Sequence, residues 1–142
     1  MKEIKEKVQA LADKYSPELA KYGLKSPHAT YLTRLYKYPN GITVPELCDI
    51  SGKDKSDASR MIAILEEKGL ACKKDVDGSL YRGLWVLTDK GKEAAAQVCL
   101  RAGKAVELAG KDLDSDTRET FYKALESITA NLTTLSKNGI PE

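Results

Sequence analysis

The stretch ITVPELCDISGKDKSDASRMIAILEEKGLACKK, Ile42 to Lys74, decides the fold. Thr43 and Glu46 stand at the spacing of a capping box, and Pro45 falls in the first helical turn, where its missing N–H costs little. A short helix should follow, with Leu47 and Ile50 facing inward, and end at Ser51-Gly52. The next start comes almost at once. Asp54 supplies an N-cap, and Asp57 puts negative charge in the first turn, where the helix dipole favours it. This helix is expected from about Lys55 to Lys68, stopping at Gly69. At about 100° per residue, Ala58, Ile62 and Leu65 share one side and form a buried stripe. Ser56, Ser59, Arg60 and Ala63 look the other way, with Glu67 further along. Two helices joined so tightly are the core of a helix-turn-helix.

Downstream the pattern shortens. LACKKDV and LYRGLWVL are rich in β-formers and flank Asp77-Gly78-Ser79, which predicts an antiparallel hairpin. Thr88 then caps a long helix through Ala94, Val98, Ala102 and Ala105 to about Ala109, weakened locally by Gly103. A last helix is expected from about Ser115 to Lys137, with Phe121, Leu125, Ile128, Leu132 and Leu135 on one stripe. Upstream, Ile4, Val8, Leu11 and Tyr15 form another such stripe. Ser16-Pro17 reads as a fresh helix start and Gly23 as a stop. Ser26-Pro27 repeats the start signal before a helix that buries Tyr31, Leu32 and Leu35 and ends ahead of Pro39-Asn40-Gly41. The fold class is therefore mainly α with a small β-hairpin wing: a winged helix-turn-helix with N- and C-terminal helices around it. The divisions expected are 1–25, 26–88 for the winged lobe, and 89–142.

The outward side of the second helix of the pair has the composition a major-groove face needs. Small residues permit close approach, hydroxyls bond bases or phosphates, and Arg60 could grip guanine O6 and N7. Lys53 and Lys55 flank its start, where free N–H groups also attract phosphate. Lys73 and Lys74 lie on the first hairpin strand and Arg82 on the second, within reach of a minor groove. Asp54, Asp57, Asp75 and Asp77 interrupt this basic patch. The whole chain carries 23 Lys and Arg against 21 Asp and Glu, a net charge of +2, so the case rests on where the charges sit rather than on their sum. The plainer alternatives are a solvated lysine face and, for Arg60, a surface ion pair to Asp57 or Glu67.

Other classes fit poorly. The three cysteines, Cys48, Cys72 and Cys99, are widely spaced, and His28 is the one histidine, so neither a disulfide framework nor a metal site is expected. No cofactor is implied. A cysteine nucleophile paired with His28 would need an orienting third group, and no local motif suggests one. No apolar run approaches the roughly 20 residues that cross a membrane, and MKEIKEKVQALADKY is polar, so a cytoplasmic location is expected.

With ITVPELCDISGKDKSDASRMIAILEEKGLACKK followed by LWVLTDKGKEAA, the sequence resembles the MarR (multiple antibiotic resistance regulator) family. The resemblance is nearly ungapped from Ile42 to Leu70. It implies a homodimer built from the first and the last two helices, with Ile4, Val8, Leu11, Phe121, Leu125, Ile128 and Leu132 at its interface. Each lobe would read half of a pseudo-palindrome in double-stranded DNA, with recognition on Ser56, Ser59 and Arg60 and the wing role on Arg82. Where relatives carry an aspartate-x-arginine-arginine run in the wing, this chain has Asp77-Gly78-Ser79-Leu80-Tyr81-Arg82. The resemblance also implies a small aromatic or anionic effector near His28, Tyr31 and Arg34, although these three could simply pack or cap. No cysteine lies in the first helix, where oxidant-sensing relatives place theirs, so structural thiols are expected. The function that follows is a sequence-specific transcriptional regulator: not an enzyme, but a repressor released by an effector. The alternative is a winged-helix protein-interaction module that does not bind DNA. For the apolar stripes, the alternative is a monomeric bundle.

Overall fold

The computed structural model describes residues 1–76 and 79–142; for Ser16 and for residues 75, 76 and 79–82 it describes the backbone alone. The element order is α1 (Lys2–Ala20), α2 (Ser26–Tyr36), α3 (Val44–Ser51), α4 (Lys55–Glu67), β1 (Ala71–Val76), β2 (Ser79–Leu87), α5 (Asp89–Ala109) and α6 (Ser115–Asn138). Two compact units cover the chain, Met1–Arg101 and Ala102–Glu142. The winged helix-turn-helix lies in the first.

Local chemistry sets most boundaries as expected. Thr43 and Glu46 form the reciprocal capping box, with Glu46 N donating to Thr43 Oγ1 at 3.3 Å and Thr43 N to Glu46 Oε2 at 2.9 Å. Gly52 ends α3 in the left-handed conformation at φ +63°, which carries no Cβ penalty in glycine. Asp54 Oδ1 accepts from Asp57 N at 2.7 Å and opens α4. Gly69, at φ +71°, lets Leu70 N reach back to Leu65 O at 2.8 Å and close that helix. Thr88 then works in two directions. Its hydroxyl donates to Gly69 O at 2.6 Å and accepts from Gly91 N at 3.1 Å, so the end of α4 and the start of α5 share one cap.

Three expectations need correction. Ser16-Pro17 does not begin a new helix: α1 runs through Pro17 to Ala20. The proline withholds one backbone donor, yet interactions on both sides of it favour a continuous helix. Tyr15 lies under the Arg101 guanidinium at 5.4 Å, Glu18 pairs with the same group at 2.7 Å, and Leu19 packs against the core. Ile50 is 44% exposed, so α3 buries Leu47 but not Ile50. At the head of α2, Ser26 is already helical and Lys25 is the N-cap; its backbone N–H donates to His28 Nδ1 at 3.0 Å.

The core of the first unit joins Leu24, Tyr31, Leu32 and Leu35 to Leu47, Ala58, Met61, Ile62 and Leu65. The hairpin contributes Ala71, Trp85 and Leu87, and α5 contributes Ala94 and Ala95. β1 and β2 pair antiparallel, Ala71 opposite Leu87 and Lys73 opposite Trp85, with a register shift between Lys74 and Val76. Ile42 forms a further bridge to Trp85, its N donating to Trp85 O at 3.1 Å and its O accepting from Trp85 N at 2.9 Å. The chain just before α3 is therefore bonded to the base of the hairpin. Gly91 presses its Cα against the carbonyl of Leu70, where a Cβ would collide with backbone. This closeness brings Ala94 and Ala95 onto the core.

In the second unit, Asp114 Oδ1 accepts from Thr117 N at 2.7 Å and caps α6, and Arg118 Nη2 donates to Gly110 O at 2.6 Å. No residue of α6 is buried, although Phe121, Leu125, Ile128, Leu132 and Leu135 recur at helical spacing along it. Among the described residues, no helix is long and apolar enough to cross a membrane.

Candidate nucleic-acid interface

α4 is held by its inner side. Ala58, Met61, Ile62 and Leu65 are buried, while Ser56, Ser59, Arg60 and Ala63 are exposed. The outer side is therefore free of packing duties and presents two hydroxyls, a methyl and a guanidinium near the helix N-terminus. Glu66 and Glu67 are also exposed, at the far end of the helix. Lys53 and Lys55 bracket the cap at Asp54 and are exposed, so two ammonium groups stand beside the helix start.

Arg60 is not free. Its Nη2 donates to Asp57 Oδ1 at 2.9 Å, one of the two ion pairs considered for it from the sequence; its side chain is nonetheless 68% exposed. The other oxygen of Asp57, Oδ2, accepts from the Tyr31 hydroxyl at 2.7 Å. Tyr31 comes from α2 and is otherwise packed in the core. Burial, then the bond to Asp57 and its negative charge, push the phenol up to about 12. The Tyr31 bond, with help from Arg60 and Lys53, holds the Asp57 carboxyl below the usual carboxylate range. Thus Asp57 stays ionised and doubly engaged at neutral pH. The Ser51 hydroxyl is buried in the turn, close enough to Tyr31 to oppose part of the phenol's upward shift.

The hairpin divides its cations. Lys73 extends its stem across Gly83 and sets its ammonium over the Trp85 ring, 5.5 Å from the centroid. Lys74 is the next residue on the strand and so points to the other face. Both are exposed, but one face of the hairpin does not present both. Arg82 lies on β2, and its side chain is outside the described residues, as are Asp77 and Gly78.

The three residues expected near an effector are placed differently from one another. His28 is half-buried and caps α2; burial and the charges of Lys68 and Lys25 hold its imidazole below the usual value, consistent with an Nδ1 that accepts a hydrogen bond. Tyr31 is committed to Asp57, and Arg34 is half-buried on the following turn of α2. An open groove of about 540 Å³ between α1 and the head of α2 is lined by Gln9, Asp13, Pro17, Ala20, Leu24, Lys25, Ser26 and Pro27, and by none of these three. Cys48 and Cys99 are half-buried, Cys72 is exposed, and all are free thiols. Among the described residues, no group of His, Cys, Asp and Glu is arranged to hold a metal ion.

The sequence reading missed Met61 in the core, the Ile42–Trp85 pairing and the Tyr31–Asp57 bond. Met61 lies next to Ile62 at the edge of the stripe and could have been included. The other two join residues far apart in the chain and leave no periodic signal.

Residues 22–78 match the model of the MarR family. No curated protein matches the chain. Among solved structures, an uncharacterised SlyA-like transcription regulator from Listeria monocytogenes superposes with a TM-score of 0.80 at 24% identity, covering 100% of this chain and 96% of that one. A MarR family transcriptional regulator from the same organism, complexed with 26mer DNA, gives a TM-score of 0.80 at 24% identity over 99% and 95% of the two chains. The MepR–DNA complex of S. aureus gives 0.73 at 17% identity over 91% and 93%. At these identities, the structural likeness establishes a shared fold.

Proposed function

We propose, from the match of residues 22–78 to the model of the MarR family, that the chain is a sequence-specific, double-stranded DNA-binding transcriptional regulator acting as a homodimer. One observation carries the reading. The exposed side of α4 bears Ser56, Ser59, Arg60 and Ala63 at its N-terminal end, while its other side is locked into the core. A helix held this way can enter a major groove without losing its packing. Lys53 and Lys55 supply phosphate interactions that set the register, one of Lys73 and Lys74 adds to them from whichever hairpin face meets the duplex, and Arg82 serves the wing. Two solved relatives of this fold were crystallised with DNA, which supports the reading by analogy.

The homodimer is supported by exposed apolar surface. Ile4, Val8 and Leu11 on α1, and Phe121, Leu125, Ile128 and Leu132 on α6, are exposed large hydrophobics in the single chain. Two stripes of this size are unusual on a monomer and suit a self-complementary interface. DNA reading then belongs to residues 26–88, and dimerisation to 1–25 and 89–142. Repression of a pseudo-palindromic operator, and release by a small aromatic or anionic effector, rest on the family resemblance alone.

The test uses a duplex selected from a random library by the wild-type protein. Arg60→Ala should weaken binding to it by about 1–3 kcal/mol for each base edge the guanidinium no longer grips, while sedimentation shows the same oligomer. The wild-type log–log salt slope should steepen by about 0.9 for each phosphate neutralised. No selected duplex together with a flat slope would instead favour an interaction module that has kept the fold without binding DNA.

A further inference from the structure

We propose that Tyr31 is a positioning residue for DNA recognition: its hydroxyl, reaching across from α2, fixes the Asp57 carboxylate that in turn holds the Arg60 guanidinium at the exposed end of α4. This rests on the DNA-binding reading above. The geometry is a three-part clamp. Tyr31 OH donates to Asp57 Oδ2 at 2.7 Å, and Arg60 Nη2 donates to Asp57 Oδ1 at 2.9 Å. With both oxygens engaged, the carboxylate cannot rotate without breaking a bond. One end of the clamp is rigid, since Tyr31 is 4% exposed and its ring is part of the core. The other end is a long side chain that water would otherwise leave to sample many rotamers.

The bond to Asp57 uses part of the guanidinium and leaves its remaining N–H donors available for a base edge. An arginine already oriented loses less freedom on meeting guanine, and a fork held at one angle discriminates more sharply between base pairs. Asp57 has a second effect. A carboxylate beside phosphate repels it, and pairing with Arg60 offsets that repulsion while placing the cation. A simple repulsive role would weaken binding to every duplex alike. A positioning role alters the ratio between sequences. Specificity is therefore the quantity that separates the two.

The experiment measures, at one fixed salt concentration, the ratio of affinities for the library-selected duplex and a scrambled duplex of equal length. Wild type, Tyr31→Phe, Arg60→Ala and the double variant complete a cycle. Tyr31→Phe should lower the ratio about five- to tenfold, a loss within the discrimination expected of one bidentate pairing. In the Arg60→Ala background the same change should alter nothing. Asp57→Asn, which keeps the Tyr31 hydroxyl, should strengthen binding to the scrambled duplex and still lower the ratio. In the free protein, ¹⁵N relaxation of the Arg60 side chain should show greater motion on the ps–ns timescale after Tyr31→Phe, with backbone shifts of α4 beyond its first two turns unchanged.

An unchanged ratio, an equal loss with and without Arg60, or an Arg60 side chain as ordered as in wild type would each overturn the proposal. So would an Asp57→Asn protein that gains equally on both duplexes. If the wild-type protein selects no duplex, DNA recognition itself falls, and positioning for it falls too. If selection succeeds and the cycle shows no coupling, Tyr31 alone is dismissed.

Discussion

Ile62 and Ile128 occupy the same kind of place in two amphipathic helices and meet opposite fates. Both lie on an apolar stripe, one in α4 and one in α6, yet Ile62 is 2% exposed and Ile128 is 55% exposed. α4 is covered by α2, α3 and the hairpin base within its own unit, whereas α6, in the second unit, has no buried residue. Periodicity declares which side of a helix needs cover. It does not say who supplies it. For α4 the answer is intramolecular, and its remaining side is exposed and is the one proposed to meet DNA. For α6 the proposed answer is a second copy, so the stripe itself becomes the interaction surface.

The contrast can be broken directly. Ile62→Ala should cost about 2–5 kcal/mol in urea unfolding, because it opens a cavity in a closed core, and the loss should be the same in dilute and concentrated protein. Ile128→Asp should instead act on assembly. Sedimentation should show the dimer mass replaced by that of a single chain at micromolar concentration, with helical content retained. A wild-type protein that already sediments as one chain would leave α6 uncovered and remove the proposed explanation. A smaller effect sharpens the account of how α4 is set. Gly52→Ala forces a Cβ into the left-handed turn between α3 and α4 and should cost roughly 1 kcal/mol, read as a lowered urea midpoint at unchanged slope.

The smallest expected effect concerns the head of α2. The folded imidazole of His28 titrates below its ordinary value of 6.5, so as pH falls the unfolded chain takes up the proton first. The stability this group contributes is full above about pH 6.5 and is lost as the pH falls through the lower folded-state value. Urea midpoints collected from about pH 7.5 downward should show this slope in wild type and not in His28→Gln. Parallel curves would mean that the hydrogen bond from Lys25 N does not depend on a neutral ring.

Much of this was legible before any coordinates. Caps at Thr43, Asp54 and Thr88 and the stops at Gly52 and Gly69 are local events, coded within a few residues, and they appear where their chemistry requires. The buried side of α4 follows from spacing alone, and its outer side by subtraction. What could not be read has a common cause: it depends on partners distant in the chain. Pro17 looks like a helix start until Arg101 is seen to hold Tyr15 and Glu18 on either side of it. Lys73 and Lys74 look like one basic pair until the strand turns them to opposite faces and Trp85 engages the first. Tyr31 reads as a core aromatic, which it is, but its hydroxyl meets Asp57 26 positions later. Composition marks such groups as candidates, and only the tertiary fold assigns their partners.

The two backbone bonds between Ile42 and Trp85 carry a mechanical consequence. They stitch the hairpin base to the segment leading into α3, and the Trp85 side chain is rooted in the core. To swing the wing relative to α4, both bonds must rupture and an indole must be pulled into water. The span from α4 to the hairpin base is thereby set like the gap of a caliper. If the proposed DNA-bound dimer forms, adjustment to grooves of differing width has to come from the spacing between its two subunits rather than from the angle between α4 and the hairpin base.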